Sequence, residues 1–409
     1  MLFDFSGFLT DSYSVALAAV MLAAMIYLCL YYGLYHFRVG QWKVKSSESG
    51  VRNSELMDAS TNSELRTPNS ELKLPPVSVV LTARNDAAWL KENLVYLLEQ
   101  DYPDFEVVVV DYLSTDDTEF VLKLLKDYYP HLKVVPFKED VNLFQGKKYP
   151  LSIGIKSAKN DILMLADPDC TPKNLNWLRG MVRGYLRTPN SELRTEIVLG
   201  YCGVKRTKTL LGCLQQYDAL AYGSQYLGSA LLGHPYTGSG RNLSYRRSFF
   251  FKQGAFIRHY DVADGSDDLF VYQNADRKNT AVCIDADACL SAEPRKHFYQ
   301  WHDERHHRVA TRNRHSIIDR LRESLPGWSC LLFYAAAVGL VLLGTLPWPV
   351  VAAAVAVKWA WQIVCFSRLT KRFDGGYVHF AAPLYEIYFV FANTILILLP
   401  LPNNRKFKK

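Results

Sequence analysis

A chain of 409 residues is longer than one compact domain usually needs, so a sizeable globular body plus something else is expected. Its eight cysteines form no CxxC pair and no zinc-ligand spacing, which excludes a zinc-stapled module and leaves them as small apolar fillers in a reducing compartment. The formal net charge of +7 does not point to nucleic acid: the Lys and Arg residues cluster beside apolar segments, where each adds about 1 kcal/mol of attraction to an anionic leaflet.

The first such segment, "VALAAVMLAAMIYLCLYYGL" from Val15 to Leu34, carries no charge. As a helix rising 1.5 Å per residue it spans roughly 30 Å, the thickness of a bilayer core. Met1 to Ser12 contains Asp4 and Asp11 and no Lys or Arg, unlike the basic start of a cleaved signal peptide. Residues 1–12 are therefore expected as a short extracytoplasmic N-terminus and 13–36 as an uncleaved transmembrane anchor. His36, Arg38, Lys43 and Lys45 follow closely, and the positive-inside tendency places the downstream chain in the cytoplasm.

Residues 37–74 form a polar, low-complexity linker in which "NSEL" begins at Asn53, Asn62 and Asn69, with a fourth copy at Asn190 in an inserted surface loop. These units lack a periodic apolar face and cannot build a core. From Pro75 the pattern alternates. "VSVVLTA" (Val77 to Ala83) reads as a buried strand, and Asp86 to Gln100 has helical spacing with a cap at Asn85 or Asp86. "FEVVVVD", ending in Asp111, then "LKVVPF" and "DILMLAD" read as further strands. Near-continuous apolar strands joined by amphipathic helices imply an α/β domain with a parallel sheet covered on both faces. Ligands of such sheets bind at the carboxyl ends of the strands, where Asp86, Asp111 and Asp167 fall. With no GxGxxG and no GxxxxGK[ST], the glycine cradles of dinucleotide and P-loop sites are missing.

"LMLADPDCTP" (Met164 is its second apolar residue) sets Asp167 and Asp169 around Pro168. Two carboxylates about 4 Å apart repel by roughly 4 kcal/mol at an effective dielectric near 20, so a cation is expected beside them, a divalent metal first. Pro168 is expected to keep this stretch extended, so that both carboxylates face one ion. Phe298 to Arg322 is rich in Arg and His and reads as a basic amphipathic helix lying on the membrane, in an interface segment 298–325. Residues 326–402 hold the C-terminal membrane segments: Trp328 to Leu346 and Pro349 to Phe366, a hairpin turned at "PWP", then Tyr377 to Leu401, a span or a re-entrant or interfacial segment. Residues 403–409 are a basic tail.

From about Pro76 to Arg308 the chain resembles the family 2 glycosyltransferases. "VSVVLTARND" is similar to their first strand and nucleotide loop, "VVVVDYLSTDDT" to "VDDGSTDxT", and "QGKKYPLSIGIKSAKNDILMLADPDCTP" to "GKxxALNxGIxxAxGDxxxxxDxD". The resemblance implies a GT-A (nucleotide-diphospho-sugar transferase, Rossmann-like) domain over residues 75–297, cytoplasmic, with flanking transmembrane helices in the cell (inner) membrane. It implies inverting transfer from a UDP- or GDP-sugar to a lipid-linked or surface-glycan acceptor. Asp167 and Asp169 would hold Mg²⁺ or Mn²⁺, whose preference is for oxygen ligands. Thr82, Arg84, Asp86, Asp111, Lys147 and Asp167 would bind the donor.

An acceptor hydroxyl needs a base. The family's acidic pair corresponds here to Asp267 and Asp268 in "GSDDLFV", with Asp268 expected as the base; the alternative role for this pair is a helix cap by Ser266 or Asp267. Gly238, Ser239, Gly240, Arg241 and Asn242, in "TGSGRNLSYRRS", resemble the glycine-rich segment that shapes the sugar and acceptor pocket. The family's QxxRW is altered: "YQWHDERHHR" offers His302, Arg305 and His306, with Arg305 expected on the diphosphate. The competing readings are a processive polysaccharide synthase, a non-catalytic nucleotide-binding membrane scaffold and a nucleotidyl transferase.

Overall fold

The structure is a computed structural model that describes residues 12–42, 74–138, 146–186, 194–262, 265–344 and 346–398. The NSEL-bearing linker, the fourth NSEL copy and both chain ends lie outside them. The chain divides into two compact units, one of Trp42–Gly203 with Ser229–Glu293, the other of Met1–Gln41, Val204–Gly228 and Pro294–Lys409.

The first unit is built on a seven-stranded sheet. In chain order its strands and those of a smaller sheet are β1 (Val77–Ala83), β2 (Phe105–Tyr112), β3 (Leu132–Phe137), β4 (Ile162–Leu165), β5 (Cys170–Pro172), β6 (Ile197–Leu199), β7 (Cys202–Val204), β8 (Leu243–Arg246), β9 (Thr280–Val282) and β10 (Leu290–Ala292). The large sheet runs β3-β2-β1-β4-β8-β6-β9 and the small one β5-β10-β7. Val77, Val79 and Leu81 of β1 turn one face into a core shared with Leu90, Leu94 and Leu97 of the helix Ala87–Leu98. The alternation of a strand thus meets the i, i+4, i+7 stripe of a helix.

β1 pairs in parallel with β2 and β4, and β2 with β3. Beyond β4 the sheet departs from the all-parallel expectation. β8 runs antiparallel to both β4 and β6, while β6 and β9 are parallel. β6, β8 and β9 are three or four residues long, too short for periodicity to register. The result is a mixed Rossmann-like α/β sheet.

The backbone at Asp167–Asp169 also differs from the extended course expected. It makes a turn, closed by the Cys170 N–H donating to the Asp167 carbonyl at 3.0 Å, with Pro168 in the leading position that its fixed φ suits. This turn feeds β5, which pairs antiparallel with β10.

Among the described residues of the second unit, three helices are long and apolar enough to cross a membrane, Ser12–Gly40, Ile317–Leu342 and Trp348–Phe373. Met21, Ala24 and Leu28 pack with Phe333, Ala336 and Leu340 in a buried cluster, the mix of small and large side chains by which apolar helices approach closely. The helix Ile317–Leu342 is capped by the Ser316 hydroxyl, which accepts from the Asp319 N–H, and runs through Pro326. The boundary expected at residues 325 and 326 therefore falls inside one helix. The proline removes one backbone bond without ending the helix.

The described part of the fourth apolar stretch holds a short 3-10 turn, Val378–Ala381, and then the 17-residue helix Ala382–Leu398, roughly 25 Å long. Its Glu386 forms an ion pair with Lys358, which is fully buried and also donates to Gln362 at 3.1 Å. Tyr32 donates to the same carboxylate. The pairing supplies what a carboxylate in an apolar setting requires.

Candidate active site

The loops after β1 and β2 are locked together. Asn85 and Leu113 both take a positive φ, 56° and 55°. The Asn85 N–H donates to the Ser114 hydroxyl at 3.1 Å, and the Asn85 side-chain oxygen accepts from the Thr115 N–H at 2.8 Å. Asparagine tolerates this conformation, whereas for leucine it stores strain of about 1–2 kcal/mol. Leu113 occupies the position of the glycine in "VDDGSTDxT".

Asp111 stands at the end of β2, in register with Ala83 at the end of β1. It is buried, and its Oδ1 has no hydrogen-bond partner among the described residues. A buried carboxylate oxygen left unmatched is costly and marks a place where a donor group from a ligand fits. Thr82 is half-buried one position earlier, in register with Val110, while Arg84 is exposed, stacks 5.1 Å over the Tyr112 ring and donates to its hydroxyl at 3.1 Å.

Asp86 accepts from the Arg84 N–H at 2.9 Å. Burial first, against the pull of that N–H, and then the negative charges of Asp167, Asp169 and Asp116 together push its carboxyl up to about 6. Asp86 therefore senses the acidic pair across the strand ends.

What compensates that pair is supplied by the chain itself. Lys147 reaches Asp167 at 3.0 Å. Arg241 spans both acids, Nη2 lying 3.3 Å from Asp169 Oδ2 and Nε 3.6 Å from Asp167 Oδ2. Asp169 is the more buried of the two, and its Oδ1 also accepts from the Cys170 thiol at 3.3 Å. Burial works against the charge on Lys147, but Asp167 and Asp267 outweigh it and hold its ammonium above the usual lysine range. Asp267 thus acts through space on the same ammonium that pairs with Asp167.

Asp267 does not cap the helix Asp268–Asn274. Its Oδ2 accepts from the Gly240 N–H at 2.6 Å, so the cap reading fails for Asp267. Asp268 is buried in the first turn, its Oδ1 accepting from the Leu269 N–H at 2.7 Å. A Cβ on Gly240 would lie 2.9 Å from Asp267 Oδ2, which explains why glycine stands there. Gly238 is buried against Leu199 and Val271, and Ser239 is half-buried, its carbonyl accepting from the Asn242 N–H at 2.9 Å. The Asn242 side chain is consumed by the fold: it donates to the carbonyls of Tyr201 and Ala288 at 2.8 Å each and accepts from the Trp177 indole at 3.1 Å. Nothing on it is left for a sugar.

One residue that sequence reasoning passed over is Lys148, fully buried, with its ammonium on the carbonyls of His259 at 2.5 Å and Val262 at 2.8 Å. It ties the helix Lys148–Ser157 to the loop that leads toward Asp267 and Asp268. No local pattern distinguishes it from Lys147; only the tertiary fold does.

Arg305 belongs to the other unit. There it is buried, with Nε 3.7 Å from Asp218 Oδ1, and its guanidinium lies over the rings of Phe389 at 4.5 Å and Trp301 at 5.2 Å. Arg308 shares Asp218 and Asn393 accepts from Arg305. His302 and His306 stand edge to face at 4.8 Å.

The donor set fits a hard divalent cation. Asp167 and Asp169 offer carboxylate oxygens, and Asp86 feels their joint charge. Among the described residues no group of three His, Cys, Asp or Glu side chains assembles a closed cage. Two carboxylates with the remaining positions left to phosphate and water is the usual habit of Mg²⁺.

The mixed Rossmann-like sheet, with acids gathered at its strand ends, has the GT-A fold. Residues 78–193 match the model of Glycosyl transferase family 2. The chain is 26% identical over 191 residues to the probable glycosyltransferase YdaM of Bacillus subtilis, covering 45% of this chain and 43% of that protein. It is 30% identical over 168 residues to the beta-monoglucosyldiacylglycerol synthase of a Synechocystis species, covering 39% and 34%. The chain thus spans less than half the length of these curated relatives. Among solved structures, the mannosyltransferase PcManGT of Pyrobaculum calidifontis, in complex with GDP-Man and Mn²⁺, shares the fold with a TM-score of 0.56 at 20% identity, covering 94% of this chain and 97% of that one.

Proposed function

We propose that the protein is a membrane-anchored, inverting glycosyltransferase that moves a sugar from a UDP- or GDP-sugar to a hydroxyl of a lipid-linked or surface-glycan acceptor, with Asp268 as general base. The observation that carries this reading is the joining of Asp86, Asp167, Asp169, Lys147, Arg241 and Asp267 by contact or by charge around one strand edge. Asp111, with its unmatched buried oxygen, accepts a hydrogen bond from the base or ribose. Lys147 and Arg241 stand where negative charge grows on the departing diphosphate, and positioned cations of this kind are among the largest contributors to transfer catalysis. Asp268 takes the acceptor's proton as its oxygen attacks the anomeric carbon from the face opposite the leaving nucleoside diphosphate, which inverts that centre.

Asp167 and Asp169 would hold Mg²⁺ or Mn²⁺, which when bound supplies further positive charge against the leaving group. Three apolar helices, with Arg and Lys near their ends, support a multi-pass location in the cell membrane with the transferase unit on the cytoplasmic side. A relative named for making a glycolipid favours an acceptor presented at the bilayer.

Asp268→Asn tests the assignment. With the full chain in detergent or lipid, transfer from labelled UDP- or GDP-sugars is expected to fall by on the order of 10²- to 10⁴-fold, while Mn²⁺-dependent thermal stabilisation by the nucleotide sugar persists. Unchanged transfer overturns the base assignment. Incorporation of label from the α-phosphate of a nucleoside triphosphate overturns sugar transfer altogether.

A further inference from the structure

We infer that Arg241 is the resident counter-cation of the Asp167 and Asp169 pair and yields that place when a divalent ion and a nucleoside diphosphate arrive together, so that metal and nucleotide bind strongly only as a pair. This rests on the transferase reading above and adds an energetic order to it.

The argument is a balance of charge. Asp167 and Asp169 carry two negative charges, and the cations in contact with them, Lys147 and Arg241, carry two positive ones. The pair's two charges are thus met by two cations in contact, with Asp86 and Asp267 acting on the same groups through space. Asp169 is buried, so its charge requires a partner at all times, and the Arg241 guanidinium lies 3.3 Å from it. A divalent ion arriving alone must displace or crowd the guanidinium that already engages both carboxylates. A diphosphate arriving alone meets two cations whose charge is already engaged by carboxylates. When both arrive, the ion takes the carboxylates and the guanidinium is released toward phosphate oxygens, for which its planar fork is suited. Each ligand removes the obstacle to the other, and by linkage the coupling is reciprocal.

Arg241 has the freedom this requires. It follows Gly238, Ser239 and Gly240, and its side chain stays about one quarter exposed, whereas that of Asp169 is 5% exposed. Lys147 stays on Asp167 in either state.

The test measures Mn²⁺ binding to the full-length protein in detergent, by electron paramagnetic resonance of the free ion, with and without UDP or GDP. In the parent protein the nucleotide is expected to tighten Mn²⁺ binding by at least about tenfold. In Arg241→Gln, Mn²⁺ alone is expected to bind at least about tenfold tighter than in the parent, and the nucleotide to add little further. Arg241→Lys keeps a charge but cannot bridge two carboxylates, and is expected to fall between them. Circular dichroism establishes that each variant is folded; if Arg241→Gln is not, the Lys variant and the parent's own coupling decide. The inference is overturned if nucleotide leaves the parent's Mn²⁺ affinity unchanged, or if a folded variant binds Mn²⁺ alone no tighter than the parent. Failure of both UDP and GDP to bind the parent at any Mn²⁺ concentration overturns the transferase reading instead, which separates the two.

Discussion

Asp86 gives the sharpest handle on the electrostatics of the site. Its carboxyl is pushed from 3.8 to about 6, first by burial and then by Asp167, Asp169 and Asp116, with only the Arg84 N–H acting the other way. A shift of about two units corresponds to about 3 kcal/mol of cost for keeping the group ionised in the folded protein. The sign follows from proton counting. Below about pH 4 Asp86 is protonated folded and unfolded, and the cost is absent. Between about pH 4 and 6 the folded state holds the proton that the unfolded chain releases, so stability falls as pH rises, and above pH 6 the full cost is present. Asp86→Asn removes the charge while its amide oxygen can still accept from the Arg84 N–H. Allowing for the weaker neutral bond, the variant should be about 2 kcal/mol more stable than the parent near pH 7.5, and the difference should vanish toward pH 4. Paired urea unfolding curves in detergent with EDTA, taken at half-unit pH steps, measure this. A difference that is flat across pH, or a variant less stable at pH 7.5, refutes the assigned origin of the shift.

Other substitutions probe the scaffold around the acids. Gly240→Ala brings a Cβ to 2.9 Å from Asp267 Oδ2; since the clash is with a side-chain tip that can swing away, the melting temperature should move little while transfer falls by on the order of 10²-fold through misplacement. Lys148→Met leaves the carbonyls of His259 and Val262 without their ammonium donor, a loss of about 2 kcal/mol after crediting the ion no longer buried, read by the same unfolding curves. Leu113→Asn replaces a strained residue at φ 55° with one that tolerates it, and is expected to gain about 1 kcal/mol with donor affinity unchanged; a loss of stability shows that the leucine side chain matters more than its backbone.

The half of the fold that was legible is the half with long, periodic elements. β1 and β2 are seven and eight residues of near-unbroken apolar character, and the helix between them repeats leucine at helical spacing, so both local preference and burial point the same way. The three apolar helices were visible for the same reason. What stayed hidden were strands such as β6 and β8, whose existence depends on partners far away in the chain: Ile197 pairs with Tyr245, and Leu165 with Leu243. A three-residue strand has no period of its own, and its antiparallel placement comes from tertiary pairing alone.

The site divides along the same line. Acids at strand ends could be found because a strand has an end that the sequence marks. Their counter-ions could not, because Lys147 stands 20 positions from Asp167 and Arg241 stands 72 from Asp169. The need for a cation was nonetheless readable, since two adjacent carboxylates on a buried turn are untenable without one. That reasoning fixes the charge required but not its carrier, and a metal ion and an arginine satisfy it equally. The structure puts the arginine there first. Asn242 illustrates the converse: it sits in the segment expected to shape a pocket, yet its amide is fully engaged by Tyr201, Ala288 and Trp177. Membership of a motif sets which backbone lines a cleft, while the side chain's hydrogen-bond partners decide whether it faces the ligand or the core.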